Sequence, residues 1–428
     1  MNRASTWLPA ALSAAGIDAV YGLPLDGFAV TEASVTTATL LCTAHEYVHH
    51  RAAFVHEGNG VLRRGESPPA AKFTITEIEQ FEEIAAFFAD HPGESFELQL
   101  DVDPASPAPK GWAAPVSAAP LDWLTPDDDT LTRLAAAENP VVLAGPGVVS
   151  DGAIAGLHAL ATAGSLGVAN TWGAKGVYDW RSRHHWATVG LQADDFDLVG
   201  FAEADLLVAT GVDEREAPPA RWTDRVRSTV TVAPRALDAL AEAWSRDRRE
   251  LTYPPLRSRL GAVSQAGWEA TTLPMPPTRA TLTYAAVFGA RGVVTADAGT
   301  VGFWVARTYT TVRPKSVFVP ASVVPDFAIA SALVCRLQEP RRAALAVSGS
   351  PLGARARELM EIADRVGVPV AVELWNPDGE VLTAEHHAAR LRELSLAEHS
   401  TVVSLRTDDR QLAQMVDAGG PIVAWDDS

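Results

Sequence analysis

The stretch Asn139–Gly152, NPVVLAGPGVVSDG, decides the fold because it contains a complete strand–turn–helix transition. Pro140–Ala144 is a short apolar run of the kind that forms a strand buried on both faces. A helix is predicted over 151–163. Gly145 and Gly147 open a G-x-G-x(4)-G pattern, a loose version of the turn in which a phosphate approaches the backbone at a helix N-terminus. A tight strand–helix turn that needs glycine for its own packing is the alternative, and the weakness of the motif favours it.

Outward from this stretch, short β-branched runs alternate with longer Ala- and Leu-rich segments along the chain. Such alternation is typical of α/β proteins with parallel sheets. Residues 103–126 contain six prolines in 24 positions, which excludes a helix or a central strand and predicts a linker over 104–126. A second proline-rich stretch begins at 272 and runs to 278. The chain is thus divided into three blocks, 1–103, 127–271 and 272–428.

Composition and charge narrow the class of protein. At roughly 100–200 residues per domain, 428 residues predict two to four domains. Lys and Arg number 35 against 53 Asp and Glu, and the net charge of −18 argues against nucleic-acid and anionic-membrane partners. Cys42 and Cys335 form neither a disulfide framework nor a cysteine zinc site. With no membrane-length apolar run and no signal-like N-terminus, a soluble cytoplasmic protein is expected.

Local patterns predict further elements in the outer blocks. Trp7–Ala15 is predicted to form a helix, Thr39–Thr43 has a β-like composition, and Phe96–Val102 alternates apolar and polar residues as a strand does. In the third block a helix over 353–366 links two strands as a βαβ unit. The strands predicted there are Val293–Thr295, Ala343–Val347, Pro369–Leu374 and Thr401–Ser404.

His45–His49 reads H-E-x-x-H. On a helix this spacing puts His45 and His49 one turn apart, with Glu46 placed to polarise a zinc-bound water, as in zinc hydrolases. A third ligand would have to come from elsewhere, and Glu77, Glu79, Glu82 and Glu83 are candidates. The alternative is a partly exposed helix decorated with histidines, on which Glu46 has a different role.

Trp172–Gly176, WGAKG, follows a β-like run at Val168–Thr171. A glycine-flanked lysine near a strand end can meet an anionic ligand, but loop lysines are usually solvated, and a solvated Lys175 is the prediction. The neighbouring polar and aromatic residues His184, His185 and Trp186 are interpreted as surface or interface packing.

Several long stretches of the sequence are similar to the sequences of one known family of enzymes. The closest runs through Asn139–Gly211, with ENPVVLAGPGVV, LGVANTWGAKGVYDW and HHWATVGLQADDFDLVGFAEADLLVATG; others are Val293–Tyr309 and the runs at 15–24 and 40–54. These stretches resemble the thiamine-diphosphate-dependent enzymes of the acetolactate synthase type. The resemblance implies an α/β fold of three doubly wound, Rossmann-like domains with parallel sheets. They would be a pyrimidine-binding-like domain over 1–103, a central domain over 127–271 and a diphosphate-binding-like domain over 272–428.

The resemblance also implies a chemistry. Glu46 matches the glutamate that acts on the aminopyrimidine of thiamine diphosphate, and the family's reaction is the attack of the activated cofactor on a 2-oxo acid with loss of CO2. The active site of such enzymes lies between two domains, usually across a dimer. A small-molecule substrate and a homo-oligomer, either a dimer or a tetramer, are therefore expected, with a hetero-subunit as an alternative partner.

Two departures from the family pattern concern the cofactor. The family has Gly-Asp-Gly and, about 27 residues later, Asn-Asn, which hold Mg2+ and the diphosphate. Here the first triplet is Ser348-Gly349-Ser350, so Gly349 replaces the aspartate, while Asn376 remains at the same spacing as a metal and cofactor ligand. The region after Gly58–Gly65 is also shorter than in a full α/β domain, so the first domain is trimmed. Weakened binding of Mg2+ and thiamine diphosphate is expected.

Three functions are therefore considered. The first is a divergent thiamine-diphosphate-dependent carboligase or decarboxylase with Glu46 as acid and base. The second is a catalytically altered or cofactor-free member of the same fold that acts as a binding or partner subunit. The third is a zinc hydrolase that uses His45 and His49.

Overall fold

The chain divides into two compact units in the computed structural model. The first unit combines Met1–Pro120 with Leu352–Val368, and the second combines Leu121–Pro351 with Pro369–Ser428. The predicted linker over 104–126 lies, apart from its last two residues, outside the described residues. The structure describes residues 7–14, 16–25, 30–65, 69–77, 80–81, 83–84, 87, 94–101, 125–247, 249–289 and 291–425.

The first unit contains a six-stranded mixed sheet. Its strands are β1 (Ile17–Gly22), β2 (Thr31–Glu32), β3 (Ala52–Gly58), β4 (Val61–Arg64), β5 (Ala71–Ile75) and β6 (Phe96–Leu100). Their order is β2-β1-β3-β4-β6-β5, and β4 pairs antiparallel with both of its neighbours while the other pairs are parallel. Helices described in this unit are Trp7–Ala14, Val35–His49 and Ala354–Arg365. The alternating burial of β6 puts Phe96 and Leu98 in the core with Phe54 of β3.

The second sheet has five strands that all run parallel. They are β7 (Pro140–Ala144), β8 (Val168–Thr171), β9 (His185–Val189), β10 (Leu206–Thr210) and β11 (Thr229–Thr231), in the order β11-β10-β7-β8-β9. β7 and β10 are buried at every position because successive side chains enter two separate hydrophobic clusters, one on each face of the sheet. The helices of this segment are Asp128–Ala136, Gly147–Ser150, Ile154–Gly164, Asp195–Leu198, Leu237–Ala243 and Pro255–Glu269.

The third sheet is also parallel and lies in the same unit as the second. Its strands are β12 (Val293–Ala296), β13 (Val317–Phe318), β14 (Ala344–Ser348), β15 (Ala371–Glu380) and β16 (Thr401–Leu405), in the order β13-β12-β14-β15-β16. Its core is rich in aromatic residues and includes Tyr284, Phe303 and Trp304. The helices of this segment are Pro277–Phe288, Thr300–Thr308, Phe327–Gln338, Ala384–Ser395 and Gln411–Gly419.

Both parallel sheets have a point at which the strand order reverses. In the second sheet the reversal lies between β7 and β10, and in the third it lies between β12 and β14. In open α/β sheets, ligands bind outside the carboxyl ends of the strands at such a point. The loops that follow these four strands are therefore the first places to look for a site.

The structure confirms the α/β class with three sheets, and it confirms all four strands predicted in the third block. The β-like interpretation of Thr39–Thr43 is wrong, because these residues lie inside the helix Val35–His49. Ser34 caps that helix by accepting the amide of Thr37, and buried Leu40, Leu41, Ala44 and Val48 follow helical spacing. Burial of this face outweighs the weak β preference of the threonines.

Among the described residues, no helix is long and apolar enough to span a bilayer.

Candidate functional site

A cavity of ≈ 630 Å³ opens at the reversal point of the third sheet. Asp297 follows β12 directly, Gly349 and Ser350 follow β14, Asn376 lies in β15, and the segment 406–410 follows β16. Four parallel strands thus deliver their carboxyl-terminal residues to one opening, as the sheet geometry requires. The structure brings together three of the residues singled out in the sequence: Gly349, Ser350 and Asn376.

Gly349 and its neighbours shape one wall of this cavity. Ser348 is buried and does not line the cavity; its Oγ accepts a hydrogen bond of 3.1 Å from the amide of Ser350. A Cβ placed on Gly349 would meet only Val301 Cγ2, at 3.2 Å, so the position has nearly enough room for a side chain. Position 349 supplies no carboxylate, and the surrounding fold has nearly enough room for one.

Asn376 presents an oxygen acceptor. Its Oδ1 is buried and has no hydrogen-bond partner among the residues that the structure describes. Buried polar atoms without a partner are few in native proteins, and such an atom often marks the place where an ion or ligand binds. An amide oxygen is a suitable ligand for a hard cation such as Mg2+.

Charged residues that the sequence reasoning missed also line the cavity: Asp297, Arg406, Asp408, Asp409 and Arg410. The Arg410 guanidinium lies 2.7 Å from Asp408 and, through this hydrogen bond, lowers the pKa of that carboxyl. Asp297 Oδ1 accepts the amide of Ala328, 2.8 Å away, in the first turn of the helix Phe327–Gln338. Their position in the chain was the signal that could have identified these residues, because they directly follow β12 and β16 and so lie at the carboxyl ends of parallel strands.

The residues present fit a diphosphate with a hard cation in part. Volume, the Asn376 oxygen, the carboxylates and the arginines suit the group, and a phosphate is the kind of ligand that arginine binds well. The helix amide that would serve a phosphate is already taken by Asp297, and position 349 supplies no carboxylate. Any metal held here would depend on carboxylates from other loops. Asp408 and Asp409 are two such carboxylates that line the cavity.

Glu46 lies near the end of the helix Val35–His49, in the first unit. Its Oε1 accepts Arg64 Nε at 2.8 Å and, more weakly, the amide of Ala53 at 3.4 Å. The side chain is about one third exposed, at 35%, against 14% for Arg64. Glu46 is thus an accessible carboxylate that forms a salt bridge with an arginine.

The histidines beside Glu46 are engaged with protein groups. His45 is almost fully buried, and its two ring nitrogens contact Asp18 Oδ2 and Tyr21 OH, each at 2.9 Å. The His49 ring packs against it in a tilted arrangement, with the ring centres 4.8 Å apart. In the described part of the chain, no three His, Cys, Asp or Glu side chains converge as metal ligands. The zinc interpretation therefore gains no support from this geometry.

The glycine-rich turn at the reversal point of the second sheet is closed by backbone. A Cβ on Gly145 would lie 2.3 Å from Gly211 O, and one on Gly147 would lie 2.6 Å from Gly211 Cα. The two loops therefore occupy the space in which a phosphate would approach. Their glycines serve the packing of two adjacent turns, as the alternative interpretation of the motif held.

Fold and cavity together define an α/β protein with an open polar site at the carboxyl ends of a parallel sheet. A more specific finding comes from comparison with known families. Residues 128–238 match the family model described as thiamine pyrophosphate enzyme, central domain. The chain thus carries the central domain of the thiamine-diphosphate-dependent enzymes. No curated protein matches the chain.

Proposed function

We propose that this protein is a divergent thiamine-diphosphate-dependent enzyme that acts on a 2-oxo acid or a derived carbonyl compound. The observation that carries the proposal is the third-sheet cavity, where Gly349, Ser350 and the unpartnered Asn376 Oδ1 meet at the reversal point. The central-domain match to the same family supports it independently.

Particular side chains would hold the cofactor. Asn376 would supply an oxygen ligand to Mg2+, with Asp408 and Asp409 as the carboxylates that replace the missing one. Arg406 would meet the diphosphate as a cation. When bound, thiamine diphosphate would supply a nucleophilic carbon and an electron sink for the decarboxylation of a 2-oxo acid. Glu46, which lies 2.8 Å from Arg64 Nε, would accept and return a proton at its carboxylate.

Calorimetric titration with thiamine diphosphate at fixed Mg2+ tests the binding step. We expect one site per chain, and Asn376→Ala should weaken it by about tenfold or more, since about 1.4 kcal/mol of lost interaction is a factor of ten. Asn139→Ala, outside the cavity, is the matched control. Native mass spectra of the same samples report the number of chains per assembly and so test the proposed homo-oligomer as well.

Turnover tests the role of Glu46. Glu46→Gln keeps the side-chain size and removes the charge, and it should abolish CO2 release from 2-oxo acids. Glu57→Gln is the matched control, because Glu57 also pairs with an arginine, Arg63, at 2.9 Å in the first unit. Equal turnover in the Glu46 variant and the wild type would remove Glu46 from the mechanism.

A cofactor-free binding subunit is the second candidate. It is favoured by Gly349, which provides no carboxylate, and by Asp297, which occupies the helix amide of Ala328. This candidate predicts no thiamine diphosphate binding at millimolar supply in a fully folded protein. It also predicts that a second, different chain completes the assembly.

A further inference from the structure

A second cavity, of ≈ 180 Å³, lies wholly within the second unit. The edge strand β9, the helix Pro255–Glu269, the helix Thr300–Thr308 and the loop around Lys175 contribute its walls. It shares no lining residue with the third-sheet cavity. The proposed function makes no use of it.

Lys175 is buried at this cavity, which corrects the prediction of a solvated side chain. Only 7% of the residue is exposed. Among the described residues, no carboxylate pairs with Lys175, and no acidic residue is found in the cavity lining. Burying a charge without a partner is costly unless a ligand compensates for it.

Arg257 is a second cation in the cavity lining, and its hydrogen-bond partners are also not carboxylates. Its guanidinium donates to the carbonyl oxygens of Trp180 and His185 and lies 4.0 Å from the ring centre of Tyr253. Two of these partners are backbone carbonyls and the third is an aromatic face, and no carboxylate among the described residues pairs with half-buried Arg257. The third cation, Arg307, is different, because both oxygens of Asp195 accept its Nη2 at 2.8 Å.

Unpartnered polar atoms are concentrated on this lining. Six of the lining residues carry a buried polar side-chain atom with no hydrogen-bond partner among the residues described: His185 Nδ1, Trp186 Nε1, Thr188 Oγ1, Trp268 Nε1, Arg307 Nε and Tyr309 OH. Buried polar groups in native proteins are nearly always satisfied, so the residues around this cavity carry several donors and acceptors without a partner among the described residues. His185 and Trp186, interpreted from the sequence as surface or interface packing, line this cavity.

Size and aromatic walls limit what the occupant is. Trp180 and Trp268 meet edge to face at 5.8 Å, and Trp186 and Tyr309 complete an aromatic lining. An apolar protein cavity of about 150 Å³ accommodates benzene. A cavity of ≈ 180 Å³ therefore has room for a benzene-sized ring with one small charged group attached.

We propose that this cavity is a binding site for a small organic carboxylate with a planar or ring-shaped body, whose carboxylate is held by Lys175 and Arg257. The aromatic side chains hold the body, and the carboxylate neutralises two cations that have no carboxylate partner among the described residues. The site is separate from the third-sheet cavity and does not depend on thiamine diphosphate.

Ligand binding at this site is coupled to a proton. Burial, aided by the charge of Arg307, lowers the pKa of Lys175 to about 7. His185, on the facing strand, has its pKa lowered to about 3 by burial and by the charges of Lys175 and Arg257, so it is neutral near pH 7. Burial raises the pKa of Tyr309 well above its usual value. The amine of Lys175 is then the group that changes charge near neutrality, and a carboxylate beside it favours its protonated form.

Calorimetry with benzoate as the probe tests the proposal on the wild-type protein. Apparent affinity should be about tenfold higher at pH 6 than at pH 8, because the fraction of Lys175 that is protonated falls about tenfold. At pH 8, binding should take up close to one proton, which titration in buffers of different ionisation enthalpy measures. Neutral benzamide should bind about tenfold more weakly than benzoate, or worse, at pH 6.

Two variants locate the site. Lys175→Met keeps the side-chain length without the charge and should abolish both benzoate binding and the proton uptake, whereas Lys72→Met removes an exposed lysine of the first unit and should change neither. No saturable benzoate binding to the wild type would overturn the proposal, and so would equal affinity for benzamide or unchanged binding by a folded Lys175→Met. If that variant does not fold, the wild-type pH and proton measurements alone decide.

Discussion

The two parallel sheets of the second unit end differently at their reversal points. In the second sheet, Gly145 and Gly211 approach so closely that no Cβ fits between their loops. In the third sheet, the loops after β12 and β14 stand apart and open a cavity of ≈ 630 Å³ lined by both acidic and basic side chains. The same topology therefore gives closely packed loops in one sheet and an open cavity in the other. The residues that follow the strands determine which of the two forms.

The largest expected effect tests the closed end. Gly145→Ala would place a methyl group 2.3 Å from Gly211 O and 2.4 Å from Val212 Cα. Because backbone has to move, we expect the free energy of unfolding to fall by about 3 kcal/mol or more, as for severe overpacking. Urea unfolding followed by tryptophan fluorescence measures it. Gly261→Ala, in the helix Pro255–Glu269 with open space around its Cβ, should instead stabilise by about 0.5–1 kcal/mol.

A pH-dependent effect comes next, from Glu216 beside the closed end. This carboxyl is fully buried and accepts the amide of Gly173 at 2.9 Å, and burial raises its pKa to about 7. Between about pH 4.5 and 7 the folded state binds more protons than the unfolded state, so stability falls as pH rises, by up to about 1.4 kcal/mol per pH unit. Glu216→Gln should flatten this part of the stability profile. The same slope in the variant and the wild type would contradict the assignment.

A smaller effect is expected at the open end. Gly349→Asp introduces a carboxylate at a position where only Val301 Cγ2 is close to the added Cβ, at 3.2 Å. If the missing metal ligand is what weakens the cofactor site, affinity for thiamine diphosphate with Mg2+ should rise by about tenfold, or about 1.4 kcal/mol. Gly349→Asn, of nearly the same size but uncharged, is the control. An equal gain in both variants would mean that packing, and not the carboxylate, limits binding.

The smallest effect concerns the charges that line the open end. Arg410 is 80% exposed and Asp408 is 16% exposed, and exposed ion pairs contribute little. Asp408→Asn should therefore change the free energy of unfolding by less than about 1 kcal/mol, and thermal unfolding at neutral pH measures this. Because the pKa of Asp408 is lowered in the folded state, the wild type loses this contribution as the pH falls and the carboxyl takes up its proton, so the difference from the variant should disappear at acidic pH. A much larger loss in the free energy of unfolding at neutral pH would contradict the weak contribution expected of this ion pair.

Much of the fold followed from local pattern. β7, β10 and β14 are buried at every position, and such strands are short continuous apolar runs that can be recognised without knowledge of their neighbours. The helix Val35–His49 was missed in part because its threonines favour a strand locally, while the burial that overrides them depends on the sheet of the first unit.

The sequence predicted residues of the candidate site only where their spacing follows that of a known family. Gly349 and Asn376 follow the family spacing, and the structure places both at one cavity. Asp408 was not singled out, because its approach to Asn376 depends on the pairing of β15 with β16. The burial of Lys175 was missed for the same kind of reason, since its cavity is closed by Arg257 and Arg307, far away in sequence.

The first unit is completed by a segment that comes very late in the chain. Glu358 accepts hydrogen bonds from the Ser34 amide and hydroxyl at 2.6 and 2.8 Å and from the Thr37 hydroxyl at 2.6 Å, and the segment Leu352–Val368 belongs to this unit. A ribosome that adds about 5–20 residues per second needs on the order of 10–50 s to pass from Pro120 to Val368. During that interval the N-terminal sheet exists without one of its helices. The unit is therefore exposed to chaperones and proteases for the time in which most of the second unit is being made.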